Sequence, residues 1–209
     1  MNAVVVATDD ERIRDAVERF GGVARMTRGA HATGTDRIAE IAVELTCDVV
    51  VNVQGDEPLI EPGTIAQLVE PFRIDPSVQM TTLRRAITTP EEYASPDLVK
   101  VVVDLNGDAL YFSRAPIPFV RDEGPLDGRL PVRSTYAHIG VYAYRRDFLL
   151  KLAALPRTPL ETAESLEQLR ALEHGFRIRT VETQHHSVGV DTPEDLERVR
   201  NLFAAAIRG

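Results

Sequence analysis

Two kinds of hydrophobic spacing alternate along the first third of the chain. The apolar run at 3–7 and the mostly apolar run at 49–53 are typical of strands buried on both faces, as in a parallel sheet. Apolar residues at every third or fourth position predict one-sided helices over 13–20, 38–45 and 65–72. Strands that alternate with such helices form βαβ units, so the pattern predicts an α/β fold with a mostly parallel sheet and flanking helices.

The middle of the chain interrupts this alternation with an antiparallel hairpin. Two strand-like runs, 99–104 and 108–114, flank Asn106 and Gly107, a pair typical of a two-residue type I′ turn. We expect the hairpin to be an excursion from a single domain that spans 1–209, because no linker or repeat divides the chain.

Turn and capping residues divide the second half of the chain. A long loop over 115–133 precedes a strand over 136–144. A Thr-Pro pair followed by an acidic residue is a helix-start signal, and it predicts helices that begin near Thr158 and Thr192. Gly175 is expected to end the first of these helices.

Composition excludes several classes of protein. The 209 residues include 24 basic and 32 acidic side chains, and the net charge of −8 argues against a general binder of nucleic acid or anionic membranes. No apolar run approaches the length of a membrane span, so we expect no membrane insertion. Cys47 is the single cysteine, so no intrachain disulfide can form, and we expect a cytoplasmic protein.

A polar segment that begins at Gln54 follows the apolar run at 49–53. Ligands of open α/β sheets bind beyond the carboxyl ends of strands, so Asp56 is expected at a binding crevice. A hard cation such as Mg²⁺ is commonly held by one or two carboxylates together with substrate phosphates. The alternative is a turn with solvated acidic side chains.

Three further segments suit a polar ligand, and each also has a structural interpretation. The loop 31–37 precedes a helix, where its backbone can approach a nucleotide, or Thr35 simply caps that helix. Arg114 ends a strand and suits a carboxylate, or it is a surface arginine. His138 and Tyr142 share one face of the next strand, where they line a polyol pocket or belong to an amphipathic strand.

The carboxyl-terminal part contributes three candidates, the neighbouring Glu167 and Gln168 and the more distant Asp191. Glu167 and Gln168 are expected on the helix that begins near Thr158, with Glu167 opposite a leucine stripe. There they would bond sugar hydroxyls, or they would belong to a solvated helix face. Asp191 precedes the last helix and is either a helix-start acid or a second metal carboxylate beside Asp56.

Eight strings occur in a fixed order over essentially the whole chain: VATDD, MTRGAHATGTDR, VNVQGDEP, VKVVVD, ALYFSRAPIP, HIGVYAYR, LEQLR and GVDTPEDLERVR. In this order they resemble the 3-deoxy-manno-octulosonate cytidylyltransferases, or CMP-Kdo synthetases. The resemblance implies a Rossmann-like fold of the nucleotide-diphospho-sugar transferase type. It also implies a nucleotidyltransferase that converts CTP and the sugar acid Kdo into CMP-Kdo and pyrophosphate for lipopolysaccharide biosynthesis, with Mg²⁺ as cofactor.

The resemblance implies roles for individual residues as well. Asp56 and Asp191 match the catalytic carboxylates that hold Mg²⁺ in the family. The residues that match Kdo-contacting positions are Gln54, Arg114, His138, Tyr142, Glu167 and Gln168. The residues that match the cytidine-side loop are Thr33, Gly34, Thr35 and Arg37.

One family feature has no counterpart in this sequence. Family members begin with a strand and a basic loop of the type ARxxSxRLPGKPL, which binds the β- and γ-phosphates. This chain opens at what resembles the family's second strand, and Asp9, Asp10 and Glu11 follow it. We therefore expect an N-terminally shortened domain of low activity, with the missing strand between 3–7 and 49–54.

Two other functions stay open at this point. One is a noncatalytic remnant that retains a sugar-acid pocket, and the other is a cytidylyltransferase for a Kdo analogue such as 8-amino-Kdo. The family's dimeric habit suggests a homodimer, with the hairpin and the loop after it as the contact.

Overall fold

The computed structural model describes residues 3–29, 31, 33–121, 135–184, 189–190 and 192–208. Its strands are β1 (Val6–Thr8), β2 (Ala24–Met26), β3 (Val49–Asn52), β4 (Met80–Ala86), β5 (Lys100–Val103), β6 (Ala109–Ser113), β7 (Tyr136–Arg145) and β8 (Arg179–Glu182). Its helices are α1 (Glu11–Arg19), α2 (Gly34–Ala42), α3 (Pro62–Val69), α4 (Pro71–Ile74), α5 (Pro90–Ala94), α6 (Arg146–Ala153), α7 (Pro159–Glu164), α8 (Leu169–Glu173) and α9 (Pro193–Arg208). Most of the loop predicted over 115–133, and the candidate Asp191, lie outside the described residues.

The ten-residue strand β7 is the centre of the larger sheet. Along one edge it pairs antiparallel with β4, from Met80 opposite Tyr144 to Ala86 opposite Tyr136. Along the other edge, β3 pairs with the last residues of β7 and β5 pairs with the first. β8 lies parallel beside β4, and β6 lies antiparallel beside β5.

The predicted α/β fold class is confirmed, but the larger sheet is mixed and not mostly parallel. β3, β4 and β8 point in one direction, as the βαβ pattern predicts. β7 runs against β3, β4 and β5, so every ladder that this central strand joins is antiparallel.

The strands β1 and β2 form a separate parallel pair, with Val6 opposite Ala24. Within the described residues, β1 pairs only with β2, and β3 pairs only with β7. The apolar runs around β1 and β3 are predicted to be buried on both faces, but Val4 is 68% exposed and Val53 is 37% exposed. Val4 precedes β1 and Val53 follows β3, so neither side chain belongs to a hydrogen-bonded strand.

The hairpin of β5 and β6 is confirmed, but its turn is not the predicted type I′. The Gly107 N–H donates to Asp104 O at 3.1 Å, and the Asp104 carboxylate accepts hydrogen bonds from the backbone of Asn106 and Asp108. A type I′ turn needs a positive φ at both central residues. In this turn only Gly107 has one, at 82°. The side chain of Asp104 therefore stabilises a longer turn.

Side chains alternate between the two faces of β7 and enter two cores. Tyr142 and Tyr144 belong to the larger core, together with Leu149 of α6. Val141 belongs to the other core, together with Leu68 of α3. Because successive strand residues point to opposite faces, the polar residues of the first face lie on the side of α2, α6 and α8.

Two helices that the sequence predicts as continuous are divided. α3 ends before Pro71, which lacks the N–H needed to continue it and begins α4 instead. The helix expected from Thr158 to Gly175 consists of α7 and α8, and Ser165 between them has a left-handed φ of 54°. In the part of the chain described, no helix is both long and apolar enough to cross a membrane.

Replacing Gly107 with alanine should lower the free energy of unfolding by about 1–2 kcal/mol. Its φ of 82° disfavours any residue with a Cβ, and that Cβ would lie 3.3 Å from Arg84 Nη1. Gly63→Ala is the matched control, because a Cβ on Gly63 in α3 meets no atom within 4 Å. The control should be neutral or stabilise by up to about 1 kcal/mol. Urea unfolding followed by circular dichroism measures both variants, and equal losses would contradict the prediction.

Candidate active site

One face of β7 carries a row of aromatic rings that leads into the candidate site. The ring centroids of His138 and Tyr142 are 5.4 Å apart, and those of Tyr142 and Tyr144 are 6.0 Å apart. Phe112 of β6 packs edge-on against His138, with centroids 5.0 Å apart. The shared face predicted for His138 and Tyr142 is therefore confirmed.

His138 is held as a neutral imidazole at physiological pH. Burial lowers the pKa of His138 to about 3. Its Nε2 lies 2.9 Å from Thr82 Oγ1, and the same hydroxyl lies 2.9 Å from Val141 O. The hydroxyl has one proton, which it donates to the carbonyl, so the arrangement is satisfied when Nε2 carries the imidazole proton. His138 can therefore offer a ligand hydrogen bonds but no charge.

Glu167 lies in the turn between α7 and α8 and not on a helix face, which corrects the prediction. The left-handed conformation of Ser165 ends α7 and redirects the chain toward the amino end of α2. There Glu167 Oε1 accepts from Gly34 N–H at 3.2 Å, and Oε2 accepts from Thr35 N–H at 3.3 Å and Thr35 Oγ1 at 2.7 Å. A carboxylate at this position satisfies free helix-start donors and complements the helix dipole.

Thr33, and not Thr35, is the N-cap of α2. Its Oγ1 accepts a hydrogen bond from Asp36 N–H at 3.1 Å. Thr35 is buried in the first turn, where its hydroxyl bonds Glu167 instead. Thr33 is the N-cap in place of the expected Thr35 because Thr33 has the extended backbone that a capping residue requires. Thr33, Gly34 and Thr35 thus lie together at a helix start, beside a residue predicted to contact the sugar.

Gln168 connects this turn to β7. Its side chain is buried, and its Oε1 accepts a hydrogen bond from the Tyr142 hydroxyl at 3.1 Å. Burial raises the pKa of Tyr142, so this hydroxyl stays protonated. Gln168 Nε2 is buried without a hydrogen-bond partner among the described residues. Since Gln168, Tyr142, Glu167 and Thr35 line one small cavity, a ligand oxygen there could accept from this amide.

Gln54 follows β3 and approaches the same face of β7. A Cβ added at Gly140 would lie 3.8 Å from Gln54 Nε2. Gly140 lies between His138 and Tyr142 in the strand and points to the same side. The missing side chain at Gly140 therefore leaves room for the Gln54 amide beside the aromatic row.

Asp56 presents an unsatisfied carboxylate oxygen. Its Oδ1 is buried and has no hydrogen-bond partner within the described residues. The Val190 N–H donates to Asp56 O at 2.9 Å, which brings the chain that leads to Asp191 next to Asp56. Asp191 itself lies outside the described residues, and the remaining ones contain no group of three or more His, Cys, Asp or Glu suited to a metal. A buried, unpartnered carboxylate oxygen fits a cation ligand, because leaving it bare is costly.

Arg114 is held at the edge of the site by several hydrogen bonds. Its Nε donates to Glu164 O at 3.0 Å, its Nη1 donates to Pro96 O at 3.1 Å, and its backbone N–H donates to Glu164 Oε2 at 2.9 Å. The buried Lys100 donates to Arg114 O at 2.5 Å. Arg114 is thus no free surface arginine. Its partner Glu164 is the last residue of α7 and precedes Glu167 by three positions.

Arg37 is directed away from the turn that carries Glu167. Its Nη1 donates to Thr27 Oγ1 at 2.6 Å and lies 3.0 Å from Asp9 Oδ1. The hydrogen bond from Arg37 lowers the pKa of Asp9. Arg37 therefore joins α2 to the end of β1, and its contact with a nucleotide remains a prediction.

The sequence interpretation missed one charged group in the wall of the cavity. Arg170 lines the cavity and is paired with the buried Glu161. The sequence marks Glu161 only as a capping residue of α7. The available signal is Arg170 itself, a cation between the apolar Leu169 and Ala171, because such a position is rarely charged unless the charge is paired.

Comparisons with known proteins identify the family to which this chain is related. The family model described as Cytidylyltransferase matches residues 1–180. The 3-deoxy-manno-octulosonate cytidylyltransferase of Pelobacter propionicus is 54% identical over 212 residues, which cover 98% of this chain and 82% of that protein. Its namesake from Geobacter sulfurreducens is 55% identical over 206 residues, covering 95% and 81%. A solved structure of CMP:2-keto-3-deoxy-manno-octonic acid synthetase complexed with CTP has a TM-score of 0.88 at 45% identity, covering 99% of this chain and 82% of that one.

The family model defines the class of protein first: this is a cytidylyltransferase, a nucleotidyl-transferring enzyme. Within that class, the chain belongs to the 3-deoxy-manno-octulosonate cytidylyltransferase family. The resemblance seen in the sequence and the nucleotide-diphospho-sugar transferase-like fold that it implies are both confirmed. The roles of the individual residues remain predictions, which the following experiments address.

Lowering the pH from about 7 to about 4.5 should destabilise the protein through His138. Its folded-state pKa of about 3 lies below the unfolded value of about 6.5. Between these values the unfolded chain binds the extra proton, so stability falls as the pH falls. His138→Gln cannot be protonated and should lose about 2–3 kcal/mol less over this range. Urea midpoints at both pH values measure the difference, and parallel profiles would contradict a neutral His138.

Proposed function

We propose that the protein transfers CMP from CTP to Kdo and releases pyrophosphate. The anomeric hydroxyl oxygen of Kdo forms a bond to the α-phosphorus, the bond from that phosphorus to the pyrophosphate oxygen breaks, and the hydroxyl proton passes to solvent. The observation that carries the proposal is the contact of Glu167 with Gly34 and Thr35. It joins residues predicted to face the sugar to residues predicted to face the cytidine. The names of the relatives, and the CTP complex of the structural relative, support these two substrates.

The polar groups on this face of β7 and at its edge suit a polyhydroxylated acid. Neutral His138, the protonated hydroxyl of Tyr142 and the amides of Gln54 and Gln168 offer donors and acceptors without net charge. Arg114 at the edge offers a cation for a carboxylate, which an arginine fork can bind bidentately. In phosphoryl-type transfer the protein contributes mainly positioning and charge stabilisation, and these groups can provide the positioning.

Asp56 and Asp191 are the residues that we propose would hold Mg²⁺. The buried, unpartnered Oδ1 of Asp56 supports this assignment. So does the hydrogen bond from Val190 N–H to Asp56 O, because Val190 is the residue immediately before Asp191. When bound, the ion would offset phosphate charge and acidify the attacking hydroxyl.

Two alternatives have less support. The relatives are named for Kdo itself, which favours Kdo over an analogue such as 8-amino-Kdo. A noncatalytic remnant would retain the sugar pocket but release no pyrophosphate, which the experiments below detect. A cytoplasmic location, a role in lipopolysaccharide biosynthesis and a homodimer belong to the proposal. The exposed Leu105 and Leu110 of the hairpin region support a contact there, because such apolar surface favours association.

Asp56→Asn should reduce pyrophosphate release by about a hundredfold or more and leave the fold intact. The substitution keeps the shape of the side chain but removes the negative charge that a cation requires. The measurement is pyrophosphate release with CTP, Kdo and Mg²⁺, in a form that carries the amino-terminal unit discussed below.

Asp48→Asn is the control for this substitution. Asp48 is an exposed acid at the opposite end of β3, immediately before Val49, so its charge lies one strand length away. It should turn over like the unaltered protein. If Asp56→Asn shows the same rate as Asp48→Asn, the metal role of Asp56 is wrong.

The triphosphate of CTP needs cations, and several arginines among the described residues are already paired with acidic side chains. Three arginines that could approach phosphates are each paired with a glutamate, namely Arg28 with Glu40, Arg84 with Glu182 and Arg85 with Glu92. β1 and β3 each have an edge without a described partner strand, as expected if another strand lies between them. We therefore propose that full activity needs the strand and basic glycine loop that the family resemblance implies.

Adding the amino-terminal strand, basic loop and helix of a relative should raise pyrophosphate release by about a hundredfold or more over the 209-residue chain. Backbone N–H groups of such a loop cradle phosphates, and the added strand would pair with the open edges. Both lengths are compared for CTP affinity by calorimetry and for turnover. Comparable activity of the two would show that other residues, such as Arg28, hold the triphosphate.

A further inference from the structure

A buried ion pair lies behind the turn that carries Glu167 and Gln168. The side chains of Arg170 in α8 and Glu161 in α7 are 4% and 1% exposed. Arg170 Nε donates to Glu161 Oε2 at 2.9 Å, and Nη2 donates to Oε1 at 2.6 Å. Two parallel hydrogen bonds between planar groups fix α7 and α8 in distance and orientation at once. The ion pair therefore holds the two helices on either side of the turn in a fixed arrangement.

The same arginine also reaches helix α2. Its Nη1 lies 3.5 Å from Asp36 Oδ1, in the first turn of α2. Glu167, three residues earlier, accepts the hydrogen bonds of Gly34 and Thr35 at the start of that helix. The segment from Glu167 to Arg170 thus contacts one helix turn at two points, through a carboxylate and through a guanidinium.

We infer that Arg170 is a positioning residue for the transfer reaction. Held by Glu161, it fixes the turn with Glu167 and Gln168 against the amino end of α2 and so sets the separation of the sugar and cytidine sides. This inference rests on the proposed function for what the two sides bind. Arg170 does not itself recognise substrate, because Nε, Nη1 and Nη2 already point to Glu161 and Asp36.

Stability alone does not account for the pair. Burial favours the neutral acid, but hydrogen bonds led by that from Arg170 outweigh it and lower the pKa of Glu161, so the pair remains ionised. Removing two charges from water often costs as much as their attraction returns, and apolar side chains of similar size can stabilise equally well. Apolar side chains would not contact Asp36 or hold a fixed orientation. The charged pair is therefore better suited than an apolar pair to fix the orientation of α7 and α8 relative to α2.

The double variant Glu161→Leu/Arg170→Met separates positioning from stability. It should remain folded and melt several degrees lower at most, because an apolar pair fills the same space while the capping hydrogen bond from Thr158 N–H to Glu161 is lost. Hydrogen exchange at the amides of Gly34 and Thr35 should accelerate about tenfold or more, since Glu167 is no longer held against them. Mass spectrometry of the peptide that covers 33–37 measures this without any substrate.

A second ion pair, between the buried Asp108 and the partly exposed Arg179, provides the matched control. Arg179 Nε lies 2.5 Å from Asp108 Oδ1 at the start of β8, whereas Gln54 and Asp56 follow the end of β3. Asp108→Leu/Arg179→Met should leave exchange over 33–37 unchanged. Equal exchange in both double variants would overturn the inference.

The single variant Arg170→Lys keeps the inference testable if the double variant fails to fold. Lysine retains the charge but cannot form two parallel hydrogen bonds, so exchange at Gly34 and Thr35 should still accelerate. Unchanged exchange in Arg170→Lys would overturn the inference. Calorimetry should also show Kdo binding at least tenfold weaker in Arg170→Lys. If the unaltered protein binds no Kdo, the proposed function fails while the exchange result stands separately.

Discussion

The antiparallel pairing of β7 on both edges is the constraint on which the rest of the molecule depends. This pairing decides which side chains of the strand enter which core, since neighbouring residues point to opposite faces. Val141 faces α3, while Tyr142 faces the cavity and His138 lies beside it on the same face. A slip of one residue in the pairing would exchange the two sets and bury polar groups in an apolar core. The core and the polar pocket are therefore set by the same hydrogen bonds.

A second layer of organisation comes from one carboxylate that satisfies a distant helix. Glu167 accepts three hydrogen bonds from Gly34 and Thr35, and a charged hydrogen bond contributes about 1.5–3 kcal/mol. The turn that carries Glu167 also places Gln168 against Tyr142. Sugar-side and cytidine-side residues are thereby parts of one connected structure, so a substitution on one side should displace residues on the other.

The acidic character of the chain agrees with this view of the site. Two arginines near the site are already paired with acids, Arg37 with Asp9 and Arg170 with Glu161, which leaves Arg114 as the cation at its edge. The polar groups that remain at the cavity are neutral donors and acceptors, which suit a sugar better than a triphosphate. A metal and further cations are what a nucleotide would still require.

Local patterns in the sequence determined the helical segments apart from the breaks before Pro71 and at Ser165, the two hairpin strands, the shared face of His138 and Tyr142, and the family. These depend on residues within a few positions of one another, or on the order of strings along the chain. Tertiary structure decided the direction of β7, the end of α7 at Ser165, the cap at Thr33 and the Arg170–Glu161 pair. Glu167 and Thr35 are separated by 132 positions, and no local pattern encodes which donor a carboxylate meets after folding. Contacts of that kind arise only when packing brings distant segments together.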